Sequence, residues 1–101
     1  MAKSFLDEIE EEEEIKNEIV QNLMEKNLNI YRKDIYTSKF IHTEVLESKL
    51  EKVYFKDISF ENCNFSNSTF ESCSFINCKF INCKMIGCNF IENTFISVQM
   101  Q

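Results

Sequence analysis

From about residue 38 to the end of the chain, a hydrophobic side chain occurs at every fifth position. Nine of the ten Phe belong to this single run, which is far more regular than random placement would give. The members of the run are Phe40, Val45, Leu50, Phe55, Phe60, Phe65, Phe70, Phe75, Phe80, Met85, Phe90, Phe95 and Met100. We expect these side chains to share one structural role.

A second set of positions lies two residues before each member of this run. All five cysteines occupy it, and small or aliphatic side chains fill most of the other positions. The cysteines are Cys63, Cys73, Cys78, Cys83 and Cys88. Asn93 is the only large polar residue in this set, so these positions are also predicted to face an interior.

A period of five fits neither regular element. On a helix, five steps turn the side chain by about 140°, so the Phe would spiral around every face. On a straight strand, side chains five apart face opposite ways. The Phe can share one interior only if the chain bends once per repeat. Turn-forming residues do lie two positions after the run, namely Asp57, Asn62, Asn67, Ser72, Asn77, Asn82, Gly87 and Ser97. Repeated bending of one hand predicts a solenoid whose coils pair like parallel strands.

The N-terminal third follows a different pattern. Ser4 is a candidate N-cap. The residues spaced for one helical face are Ile15, Ile19, Val20, Leu23 and Met24, so the sequence predicts a helix over 4–28. We expect this acidic segment, residues 1–29, to cover one open end of a solenoid formed by residues 30–101. The acids at 10–14 form either a solvated stretch or an acidic contact surface.

The repeats resemble those of pentapeptide-repeat proteins. The residues that carry the resemblance are Cys63-Asn64-Phe65-Ser66-Asn67, Cys73-Ser74-Phe75-Ile76-Asn77, Cys78-Lys79-Phe80-Ile81-Asn82 and Cys88-Asn89-Phe90-Ile91-Glu92. They match a family pattern of a small residue, a polar residue, Leu or Phe and two variable residues. The resemblance covers residues from about 38 to 101.

The resemblance implies a mainly β fold, a right-handed quadrilateral parallel β-helix with four repeats to a coil. That would give just over three coils here, with residues twenty apart stacked on each other. The Phe and Cys positions would point inward. The structural core implied is Phe55, Phe60, Phe65, Phe70, Phe75, Phe80, Met85, Phe90, Phe95, Cys63, Cys73, Cys78, Cys83 and Cys88.

The charge and composition of the chain exclude several classes of function. The net charge is −6, which disfavours direct binding to nucleic acid. Residues 1–29 carry the whole excess, with three Lys against nine acids. The chain contains a single Gly, which excludes glycine-rich phosphate loops, and a single His, which excludes His-paired zinc motifs. The N-terminus has no apolar signal core, and there is no apolar run of about 18 residues. We therefore expect no membrane span and a cytoplasmic protein with free thiols.

The cysteines are the most tempting candidates for chemistry. Cys73, Cys78, Cys83 and Cys88 would place one thiol on each of four successive sides, which suggests a metal site. However, their spacing is the structural period itself, and Phe rings would fill the space between them. We predict small buried side chains, with no metal and no cofactor; a redox role of the stacked Cys63 and Cys83 is the remaining alternative. His42 falls on a bend position without a catalytic partner at motif spacing, so we predict no enzyme activity.

The outward positions of the last repeats are the best candidates for an interaction surface. Each of these residues directly follows a predicted interior residue, and all are isoleucines: Ile76, Ile81, Ile86, Ile91 and Ile96. A contiguous apolar belt marks a contact surface, although the β-propensity of Ile gives an alternative explanation. We predict a protein-protein interaction or scaffold module that binds a partner or self-associates through its C-terminal coil.

The resemblance also suggests an alternative function. Some pentapeptide-repeat proteins protect DNA gyrase and confer quinolone resistance by presenting an acidic rod shaped like a DNA duplex. In this chain the repeats from residue 30 onward carry eight basic and eight acidic residues and have no net charge. This departure makes a gyrase modulator the second hypothesis rather than the first.

Overall fold

A computed structural model describes residues 4–101 of the chain. Within this part, one helix, α1 (Phe5–Glu11), precedes fourteen short strands. The strands are β1 (Glu14–Lys16), β2 (Ile19–Gln21), β3 (Met24–Lys26), β4 (Asn29–Tyr31), β5 (Asp34–Ile41), β6 (Glu44–Leu46), β7 (Lys49–Glu51), β8 (Tyr54–Glu61), β9 (Thr69–Glu71), β10 (Ser74–Ile76), β11 (Lys79–Ile81), β12 (Asn89–Ile91), β13 (Thr94–Ile96) and β14 (Gln99–Met100). The helix has seven residues and is too short and too acidic to cross a membrane.

The strands form a parallel solenoid in which each residue pairs with the residue twenty positions later. On one side, for example, Phe55 pairs with Phe75 and Phe75 pairs with Phe95. Four repeats therefore make one coil, as the resemblance implies. The described residues complete about four turns, rather than just over three, because the coils begin before residue 30.

The predicted helix over 4–28 is wrong beyond Glu11, where α1 ends. The chain enters β1 at Glu14, and β1 to β4 pair with β5, β6 and β7 in the same register as the later coils. The boundary predicted between residues 29 and 30 therefore falls inside the solenoid. Five adjacent acids do not favour a continuous helix. Ile15, Val20 and Ile30 continue the five-residue period in the following residues, with Glu25 as the one exception.

Bends recur at every fifth residue from Asn17 to Ser97. Each bend has a positive φ, and sixteen of these positions are occupied by residues other than glycine. At twelve of the bends the backbone N–H donates to a carbonyl of the next coil; that of Asn77, for example, donates to the Ile96 carbonyl at 2.8 Å. Side chains at bends in adjacent coils also form hydrogen bonds, since the Asn77 amide donates to the Asp57 carboxylate at 2.7 Å. The turn-forming residues predicted at these positions do form the bends.

Stacked and tilted Phe rings fill the interior. Phe75 lies face to face with Phe55, with ring centroids 4.9 Å apart, and with Phe95 at 5.1 Å. Within its own coil it meets the neighbouring Phe70 and Phe80 at 5.8 Å and 5.7 Å. The same ring therefore packs along the solenoid axis and around it. Packing leaves a cavity of about 40 Å³ lined by Phe rings and aliphatic side chains, little more than one water molecule occupies in the liquid.

Helix α1 packs against the first coils through residues other than those predicted. Ser4 caps it by accepting a hydrogen bond from the backbone N–H of Asp7 at 3.2 Å. Ile9 is only 6% exposed, and the Phe5 ring meets the edge of the Phe40 ring at 5.4 Å. By contrast, Ile19 lies on strand β2 and is 69% exposed.

This packing gives a stability prediction with a matched control. Ile9→Ala is expected to lower the free energy of unfolding by about 2–4 kcal/mol because it empties a buried site. Ile19→Ala makes the same chemical change at an exposed site and should alter stability by less than about 0.5 kcal/mol. Urea unfolding followed by circular dichroism measures both, and equal losses would contradict the position of α1.

Candidate interaction surface

The five isoleucines predicted to face outward encircle the final coils. Ile76 and Ile81, on β10 and β11, are half-buried against neighbouring side chains. Ile86, Ile91 and Ile96 are exposed, at 72%, 44% and 53% of their surface. We call these five residues the isoleucine belt. It covers all four sides once and then continues on the first side, where Ile96 pairs with Ile76.

One coil earlier, the same outward positions are polar. In the parallel register, Ile76 pairs with Lys56, Ile81 with Glu61 and Ile91 with Glu71. The two glutamates form surface ion pairs, Glu61 with Lys39 at 3.6 Å and Glu71 with Lys49 at 3.8 Å. The fold therefore accepts charged residues at these positions, and backbone geometry alone does not require isoleucine.

A second group of apolar outward residues lies two coils below the belt, and the sequence pattern did not single it out. Its members are Tyr31, Tyr36, Ile41 and Leu46. Three of them are half-buried, and Tyr31 is 50% exposed. The Tyr31 ring lies near the cations of Arg32, at 5.4 Å, and Lys52, at 5.8 Å, and Tyr36 packs edge-on against Tyr54 at 5.8 Å. These rings are engaged within the chain, unlike the most exposed isoleucines.

The burial of the predicted core residues depends on the coil in which they lie. Six Phe and three Cys are buried: Phe55, Phe60, Phe65, Phe70, Phe75, Phe80, Cys63, Cys73 and Cys78. Met85, Cys83 and Cys88 are half-buried. Phe90 and Phe95 are not buried, with 40% and 46% of their surface exposed. They occupy the predicted columns, but among the described residues no coil stacks on their outer faces.

The thiols act as hydrogen-bond donors between coils. Cys63 donates to the Phe40 carbonyl at 3.3 Å, and Cys88 donates to the Phe65 carbonyl at 2.9 Å. In each case the acceptor lies 23 residues earlier. The Ser68 hydroxyl repeats this contact with the carbonyl of Val45 at 2.9 Å. Cys and Ser at this position therefore satisfy a buried carbonyl, whereas Val53 and Ile58 bury an aliphatic side chain there instead.

Asn93 fills the same position with a larger polar side chain, and both its amide nitrogen and its side-chain oxygen have hydrogen-bond partners. Its amide donates to the Phe70 carbonyl at 3.0 Å, and its side-chain oxygen accepts from the Cys73 backbone N–H at 2.8 Å. The Asn93 side chain therefore bonds to the equivalent carbonyl, 23 residues earlier, and to a backbone N–H as well.

The comparisons with known proteins agree with this geometry. A family model described as pentapeptide repeats matches eight copies, over residues 48–90 and 73–101, which is more than half of the chain. The chain belongs to the pentapeptide repeat family. Among solved structures, it is similar to the pentapeptide repeat protein Rfr23 from the cyanobacterium Cyanothece 51142, with a TM-score of 0.52 and 9% identity over 95% of this chain and 97% of that one. At this identity the likeness shows the fold alone. A comparison with curated proteins finds no match.

Burial raises the pKa of most thiols in this pentapeptide repeat protein. The pKa of Cys78 rises to about 11, mainly because the thiolate would lose its hydration inside the solenoid. Burial also raises the pKa values of Cys73 and Cys88. Such thiols remain protonated near neutral pH and keep their donor role. Over residues 4–101, no three His, Cys, Asp or Glu side chains come close enough to hold a metal ion.

Proposed function

We propose that this pentapeptide repeat protein is a non-catalytic interaction module that binds another protein through the isoleucine belt. The exposure of Ile86 supports this most directly, since 72% of its surface lies outside the fold. Removing such surface from water contributes about 25 cal/mol for each Å² buried. The belt can therefore drive association without disturbing the interior, where the stability of the fold resides.

The absence of catalysis in this proposal has two supports. The family is generally non-enzymatic. In addition, Phe rings occupy the interior of the described solenoid, and the cavity of about 40 Å³ among them is far smaller than the few hundred Å³ of a ligand site. The five free thiols at structural positions suit a reducing compartment, so we also infer a cytoplasmic location.

Belt substitutions test the proposal. Ile86→Lys combined with Ile96→Lys places two charges at exposed belt positions, and we expect the fold to persist while association falls at least tenfold. Sedimentation velocity over a concentration series measures self-association, and quantitative capture from the native host measures binding to other proteins. Circular dichroism verifies that the solenoid remains folded.

The matched control is Ile19→Lys combined with Met24→Lys. Both residues are 69% exposed, so this variant adds the same charge at apolar sites outside the belt. It should retain every association that the wild type shows. The proposal fails if both variants lose association equally, if neither does, or if the wild type neither self-associates nor captures a protein.

A further inference from the structure

Cys63 and Cys83 are the only two cysteines that occupy the same interior column. They lie twenty residues apart, one coil above the other, next to the paired residues Asn64 and Lys84. The other cysteines face Val, Ile, Ser or Asn in their columns. We propose that Cys63 and Cys83 form a thiol-disulfide exchange site that reacts with low-molecular-weight disulfides and closes into a bond between two coils.

The backbone holds the two residues in register. The Lys84 N–H donates to the Cys63 carbonyl at 2.9 Å, and the Asn62 N–H donates to the Ile81 carbonyl at 2.9 Å. These bonds bracket the pair on both sides. Adjacent strands lie about 4.8 Å apart, which falls within the Cα separation of about 4.4–6.8 Å that disulfides span.

The two thiols differ in reactivity. Cys63 is 2% exposed, and its pKa is raised by the neighbouring Cys83 thiol and by burial. Cys83 is half-buried, and the neighbouring Cys63 thiol lowers its pKa to about 7. Because Cys83 is the more exposed thiol of the pair and also has the lower pKa, it is the attacking group. Cys63 is then the resolving thiol.

The exchange balances in two steps. The Cys83 thiolate attacks one sulfur of the small disulfide, forms a mixed disulfide and releases one small thiol, which takes up a proton. Cys63 loses its proton and attacks the Cys83 sulfur, which releases the second small thiol. The two protein thiols are oxidised by two electrons, and the small disulfide is reduced to two thiols. The product links the coil that begins the belt to the coil below it.

Oxidised glutathione is the probe. After incubation of the full chain under native conditions, intact mass and peptide mapping should show one internal disulfide between Cys63 and Cys83 that dithiothreitol reverses. Cys63→Ser keeps a hydrogen-bond donor and should trap glutathione on Cys83, at a rate that rises through about pH 7. Cys83→Ser should slow the reaction of the pair at least tenfold.

Cys78→Ser is the matched control, because it removes a thiol at an equivalent position in another column. It should form the same disulfide as the wild type. The proposal is overturned if the wild type remains unmodified, if glutathione stays on Cys83 without closure, or if Cys88 reacts as fast as Cys83. Peptide mapping of the wild type decides the matter even if a variant does not fold.

Discussion

Replacing Phe75 with alanine is expected to lower the free energy of unfolding by about 3–5 kcal/mol. The ring is 1% exposed and contacts four other Phe rings, two above and below it and two beside it. Removing it creates a cavity at the centre of the solenoid and breaks two stacked pairs. Since small domains are stable by about 5–15 kcal/mol in total, the variant should unfold at a much lower urea concentration than the wild type.

Phe95→Ala is the matched control for this prediction. Phe95 stacks on Phe75 in the same column, but 46% of its surface is exposed. Its loss should lower stability by only about 1–2 kcal/mol. Urea unfolding measured by circular dichroism compares the two variants. Equal losses would mean that the buried ring of Phe75 contributes no more to stability than the exposed ring of Phe95, contrary to what the ring contacts indicate.

The later coils were predictable because three patterns coincide there. Phe75 lies on the five-residue period, Cys73 lies two residues before it and Asn77 two residues after it. A ring that must be buried, a small donor and a residue that tolerates positive φ together leave a single geometry for the repeat. The spacing of twenty was not predictable from the period alone, and it came from the family resemblance.

The first coil was mistaken for a helix because two exposed residues imitated a helical face. Ile19 and Met24 are apolar but point into solvent, and their spacing with Ile15 and Leu23 suited a helix. The inward position that would have continued the period holds Glu25 instead. Asparagines at 17, 22 and 27, all with positive φ, carried the correct signal.

The bends of the second coil could not be predicted from local sequence. Thr37, His42, Glu47 and Lys52 all have positive φ, although none is a typical turn former. The neighbouring coils impose these bends through the parallel register, since strands of the second coil pair with the coil below and with the coil above. Tertiary pairing thus overrides residue preference.

The isoleucine belt was predictable only in part. Its positions follow from the five-residue period, but the identity of its partner cannot be read from the sequence.

Replacing Ser68 with valine is expected to lower the free energy of unfolding by about 2–4 kcal/mol without opening a cavity. Ser68 has no exposed surface. Its hydroxyl donates to the Val45 carbonyl at 2.9 Å and accepts from the Ser48 N–H at 3.1 Å. Valine fills the site but leaves both backbone groups buried and unpaired, and each such group costs about 1–3 kcal/mol. Urea unfolding measures the loss.

Ser68→Cys separates the hydrogen bonds from the packing at this site. Cys88 follows Ser68 in the same column and donates to the Phe65 carbonyl, so a thiol suits the position. The cysteine variant should keep the bond to the Val45 carbonyl and lose less than about 1.5 kcal/mol, because sulfur is only a weak acceptor for the Ser48 N–H. Stability of the valine variant equal to that of the wild type would show that hydrogen bonds between coils contribute little. In that case burial of the Phe columns alone would stabilise the solenoid.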